Sequence, residues 1–173
     1  NLYEISKQSI SKMIFGKSIL YFFAFMIFGL FFAVVNFSVF GVEIRGNAID
    51  LAVIFALFIS TIIVFGMLIG SLFKTKLFAF QVLVFSSYPI FLITGYSMPY
   101  QALPKFVQFL SDALPTSPFL KTFISIVQSG GSLSDNLPSV IHLIILWIIF
   151  ECLLILRIKY LVSSSVSEKK NRE

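Results

Sequence analysis

Gly16, Lys17 and Ser18 close the stretch SKMIFGKS, which has the ending of a phosphate-binding loop. Such a loop needs G-x-x-x-x-G-K-[ST] between a strand and a helix, so that glycine amides and the lysine wrap the phosphates. Here Ser11 stands where the first glycine belongs, and an apolar, aromatic run follows Ser18. A nucleotide site on this chain is therefore disfavoured. Glu151 and His142 are the other residues with reactive potential, but they stand nine positions apart and no H-E-x-x-H or paired-carboxylate pattern surrounds them. Glu151 lies in an apolar run, where an ionised carboxylate costs a few kcal/mol or more unless it faces protein or water. It reads either as a proton or cation contact or as a hydrogen-bonded group in a helix interface. The single Cys152 allows neither a disulfide within the chain nor a cysteine metal site.

Composition identifies the solvent. Hydrophobic residues make up 58% of the chain and charged ones 12%, with 22 phenylalanines among 173 residues. Globular domains carry about 25% charged residues. Crossing a hydrocarbon core of about 30 Å takes about 20 apolar helical residues. Four stretches meet that length, at about 18–40, 50–73, 77–97 and 138–161. They lack period-two alternation, and an open sheet edge has no partners in lipid. The expected fold is all-α, a single polytopic helical membrane domain with four transmembrane helices. The start at Asn1, without a cleavable signal pattern, points to a piece of a longer protein.

Charge sets the orientation. Lys7, Lys12, Lys17, Lys74, Lys76, Arg157, Lys159, Lys169, Lys170 and Arg172 fall on one side of the spans; Arg45, Lys105 and Lys121 fall on the other. Basic residues favour the cytoplasmic side, so both termini and the tail 162–173 are placed there. The net charge of +5 is then explained by topology, and nucleic acid is not needed as a partner. Lys17 snorkels at the inner interface.

Residues 1–16 form a candidate amphipathic helix. Leu2, Tyr3, Ile10, Met13 and Ile14 share one flank, and Glu4, Lys7, Gln8, Ser11 and Lys12 share the other. It is either an interfacial helix leading into the bilayer or a docking helix for a cytoplasmic partner, with Gly16 allowing a turn into the span. Residues 98–137 are too polar to span. Leu103, Phe106, Val107, Leu110 and Leu114 recur at helical spacing after Pro104. Ser117 and Pro118 read as cap and first turn of a second helix carrying Phe119, Leu120, Phe123, Ile124 and Val127, closed by SGGS. An extracytoplasmic re-entrant helical hairpin is expected. On the third span, Gln81, Tyr88 and Gly95 make one stripe with Ser87 and Thr94 beside it. That face lines a translocation path or bonds helix to helix. Pro89 is expected to kink this span. Gly66 and Gly70 form G-x-x-x-G on the second span, the pattern of close helix approach within a chain or across a dimer.

These residues together resemble the membrane subunit of the ABC type-2 permease family over nearly the whole chain. The resemblance lies in Glu4 through IFGK before a span, in FGMLIGSLF, and in G-x-x-x-P, Leu-Pro and Leu-Pro-x-[ST]. The last group is Gly95, Pro99, Leu103, Pro104, Leu114, Pro115 and Ser117, followed by Gly130 or Gly131. Family members have six spans, so this chain matches the last four. The resemblance implies an ATP-driven exporter in the bacterial cytoplasmic membrane. It pairs as a homo- or heterodimer and binds separate ATPase subunits that hold ATP and magnesium, so the chain itself needs no cofactor. It also implies a coupling role for Glu4, Lys7, Ile10, Ser11, Met13, Ile14, Gly16 and Lys17. Gln81, Ser87, Tyr88, Thr94 and Glu151 become path candidates, and Gly95, Pro99, Pro104 and Pro115 an outer gate. Aromatic-rich spans lean toward a hydrophobic or amphiphilic cargo, drug-like or lipid-like. The competing readings are a membrane-embedded enzyme using Glu151 and His142, or a structural membrane protein.

Overall fold

A computed structural model describes residues 2–41, 43–73, 75–94 and 100–170; the side chains of residues 2–15, 76, 162 and 164–170 lie outside the description. The described residues form six α-helices and no strand: α1 (Leu2–Val34), α2 (Ala48–Leu72), α3 (Lys76–Ile93), α4 (Lys105–Asp112), α5 (Thr116–Ser129) and α6 (Leu137–Lys170). Helices satisfy their own backbone polar groups, which is what an apolar solvent demands. The chain is a polytopic helical membrane protein.

Among the described residues, Gly16–Val39, Ala48–Leu72 and Leu137–Leu161 are long and apolar enough to cross a membrane. The third expected span, 77–97, appears as the shorter apolar helix Leu77–Ile93, with Gly95 to Pro99 outside the description. Pro89 removes one backbone donor, yet α3 continues past it to Ile93.

Two expectations change at the ends. A turn was expected at Gly16, but α1 passes through it unbroken. One glycine costs a helix only about 1 kcal/mol, too little to break it without a competing partner. At the other end of the chain, α6 continues to Lys170, so most of the tail expected at 162–173 prolongs the last span's helix. After Val34, α1 ends in a π turn, Val35–Val39, where Asn36 returns its side-chain amide to the Phe32 carbonyl at 2.8 Å.

The body of the molecule is α2 between α5 and α6. One buried cluster joins Ile54, Ile126 and Leu143; a second, further along, joins Val64 to Leu146, Phe150 and Leu154. Both clusters pair increasing residue numbers, so α2 and α6 run parallel. Helix α1 runs antiparallel to α2: Gly29 lies against Phe55, and the Ser18 hydroxyl donates to the Met67 sulfur at 3.6 Å. The start of the first span and the ends of α2 and of the last span therefore share one end of the bundle.

Candidate functional site

The coupling candidates Glu4, Lys7, Ile10, Ser11, Met13 and Ile14 lie on the backbone of α1, with side chains outside the description. Gly16 and Lys17 are exposed. The physical point is continuity. Fourteen residues before Gly16 share one hydrogen-bonded ladder with the span, so a displacement at Leu2 is carried into it without a hinge.

At the opposite end, α4 and α5 form the hairpin expected from sequence. Pro104 is exposed and precedes α4. Pro115 is buried and already helical, at φ −67° and ψ −18°, so α5 begins at Thr116. Ser117 is therefore not the cap expected for this helix. It lies in the first turn, fully buried, and its hydroxyl shares a 2.8 Å hydrogen bond with Ser111 of α4. That bond satisfies two buried hydroxyls at once, tying the hairpin's arms together. Helix α5 leans into the bundle: the Phe119 ring stacks on Phe58 of α2, centroids 4.0 Å apart. Phe106 and Phe109 on α4 instead face outward.

Tyr100, Asp112 and Lys121 close the hairpin's mouth. The Tyr100 hydroxyl donates to Asp112 Oδ2 at 2.6 Å. Lys121 pairs with Asp112 at 3.8 Å and lies 4.2 Å over the Tyr100 ring. The hydrogen bond to Asp112 raises the Tyr100 pKa above its usual value, because the phenol's proton is held by a carboxylate.

A second polar lock, which sequence patterns did not reveal, joins the loop before α2 to the end of α5, and the first turn of α2 to the loop before α6. The Arg45 N–H donates to the Val127 carbonyl at 3.2 Å, and Arg45 Nη1 donates to the Gln128 carbonyl at 3.2 Å. Both are carbonyls in the last turn of α5, where a cation also suits the helix dipole. The Leu133 N–H donates to Asp50 Oδ2 at 3.1 Å. Gly130, at φ 70°, lets α5 end in a left-handed turn. Asp135 accepts from the Ser132 N–H at 2.8 Å and from the Ser132 hydroxyl at 2.7 Å. These bonds, the backbone one foremost, hold its carboxyl below the usual carboxylate range. A lowered carboxylate pKa stabilises the fold above its unfolded pKa and is lost as pH falls through the folded value. Melting in detergent should therefore fall further for wild type than for Asp135→Asn between neutral pH and about pH 3; equal falls would remove this role.

The path candidates are not brought together. On α3, Gln81, Ser87 and Tyr88 are exposed, Gln81 and Tyr88 on the side away from buried Ala79. The Ser87 hydroxyl donates to the Leu83 carbonyl at 2.8 Å and Thr94 to the Phe91 carbonyl at 2.9 Å. Both hydroxyls are thus satisfied within their own helix. Glu151 is half-buried on α6 beside the Phe150–Leu154 stripe that packs on α2. Glu151 and His142, nine residues apart at about 100° each, point to opposite sides of α6, about 13 Å apart along the axis. They cannot serve one catalytic centre. No group of three or more His, Cys, Asp or Glu side chains suited to a metal occurs among the described residues. Gly95 and Pro99 lie outside the described residues.

The G-x-x-x-G of α2 also reads differently in space. A side chain at Gly66 or Gly70 would meet nothing within 4 Å, so neither supports close packing inside this chain. The close approach of α1 to α2 is at Gly29, where a Cβ would overlap the Phe55 ring.

No curated protein and no solved structure matches this chain. The family model for ABC-2 family transporter proteins matches residues 4–156, from the first turns of α1 almost to the end of the last span. An all-helical membrane bundle matched over most of its length, the chain belongs to the family of ABC-2 transporter proteins.

Proposed function

We propose that the chain is the permease subunit of an ATP-driven exporter, working on a hydrophobic or amphiphilic cargo of drug-like or lipid-like character. Two permease subunits pair around the path. Separate ATPase subunits, holding ATP and magnesium, bind the end of the bundle that carries residues 2–16. That end faces the cytoplasm, in keeping with its basic residues, and the bundle lies in a bacterial cytoplasmic membrane. The hairpin α4–α5 seals the outer end.

The observation that carries this reading is the unbroken helix Leu2–Val34. A docking segment continuous with a span works as a lever, because ATPase closure displaces its free end and the span must follow. Cargo class is supported by the aromatic exterior: Phe78, Phe85 and Tyr88 on α3 are exposed in line with Gln81. The test is cargo flux and ATP hydrolysis in vesicles holding the full complex. Flux should require the ATPase, and charge reversal at Lys7 and Lys12 should lower ATP-driven flux while the chain still inserts. Flux that proceeds without the ATPase, or is untouched by the charge reversals, would remove the coupling assignment.

A further inference from the structure

Where α2 ends against α6, an open groove of about 450 Å³ is lined by Leu68, Leu72, Leu153 and Leu156 and rimmed by Arg157 and Tyr160. Its floor is apolar, and Leu72, Leu153 and Leu156 are each about half exposed. Arg157 Nε donates to the Ser71 carbonyl at 3.3 Å, one of the last α2 carbonyls without a partner in its own helix. The guanidinium carbon stands 5.6 Å from the centre of the Tyr160 ring. These contacts fix the guanidinium but use one of its five donors. Among the described residues no carboxylate pairs with it; their one ion pair is Lys121 with Asp112.

Arg157 lies about 30 Å along α6 from Leu137, the depth at which hydrocarbon gives way to headgroups. Lys159 is exposed about 200° round the helix from Arg157, outside the groove. The site thus asks for an anion at the interface and for an alkyl chain directly beneath it. A free phosphate meets the first demand alone, and a lipid without a phosphate the second alone. A second protein copy or a further segment of chain would have to bring a carboxylate to the guanidinium. We propose that this groove binds an anionic glycerophospholipid, with the phosphate on Arg157 and an acyl chain along the four leucines, joining the ends of α2 and α6.

Native mass spectrometry of the purified full chain, offered phosphatidylglycerol and diacylglycerol with identical acyl chains, tests this. Wild type should retain phosphatidylglycerol about tenfold over diacylglycerol, the scale of one charge-assisted hydrogen bond. Arg157→Gln should erase that preference, Arg157→Lys should keep part of it, and Lys159→Gln should leave it unchanged. Equal retention of the two lipids by wild type overturns the proposal, whether or not any variant folds. So does an equal loss in Lys159→Gln, which would mark diffuse surface potential, or full displacement of the lipid by millimolar inorganic phosphate, which would mark an anion site alone. Disulfide pairing of Leu153→Cys in a Cys152→Ser background, near completion in native membranes, would give the groove to a second copy and also overturn it. The lipid site is independent of transport, so its failure leaves the permease reading standing.

Discussion

Replacing Ile10 by proline should abolish ATP-driven flux while leaving membrane insertion intact. Proline at position 10 removes the N–H that bonds the Ser6 carbonyl and drives its ring into that carbonyl, at a cost of about 3 kcal/mol or more. A cost of that size lowers the population of straight helix by at least about a hundredfold. The apolar span, Gly16–Val39, begins six residues later and is untouched. Gly16→Ala is the discriminating companion. Its Cβ would meet nothing within 4 Å, and alanine favours the helix by about 1 kcal/mol over glycine. A rigid lever therefore predicts full transport in Gly16→Ala and none in Ile10→Pro. The reverse pattern would mean that α1 works by bending at Gly16, and normal flux in both would remove the coupling role.

The largest stability loss from a single added methyl group is expected at Gly46. A Cβ there would lie 2.6 Å from the Ile126 carbonyl oxygen and 3.0 Å from that of Gly131. Both obstacles are backbone, and neither can rotate away. The Ile126 side chain is completely buried against α2 and α6, so a shift of its carbonyl would disturb the core. Overpacking of this kind costs about 1–3 kcal/mol, or several degrees in Tm at about 2–4 °C per kcal/mol for a chain of this size. Gly66→Ala, with open space around it, should leave Tm unchanged or raise it. Equal Tm values for Gly46→Ala and wild type would show that the loop before α2 is not locked against α5. A large fall for Gly66→Ala would show that α2 packs there on another subunit.

The candidate site was legible where a residue's own type carried the signal. Pro104 marks the beginning of α4 because the first turn of a helix leaves its donors unpaired and tolerates proline. Gly130 ends α5 because its positive φ excludes most other residues. Ser117 misled for the same reason, since a Ser-Pro pair is a sound cap signal; Pro115 had already begun the helix, and Ser111 took the hydroxyl. Arg45 and Asp50 gave no signal at all, because their partners stand 83 residues away.

By itself, the sequence determined that this is a helical membrane protein of the ABC-2 permease type. Length and polarity decide the helical membrane part residue by residue, since lipid offers no hydrogen bonds and long apolar runs must become helices whatever lies beside them; the family rests on the motifs and the family match. Only the tertiary structure decided which glycine admits a neighbour, Gly29 rather than Gly66, and which polar groups meet across the outer loops. It also showed Gln81 and Tyr88 turned away from the body and α1 as one unbroken rod. Those outcomes depend on pairs of surfaces brought together by folding, and no local pattern encodes the partner.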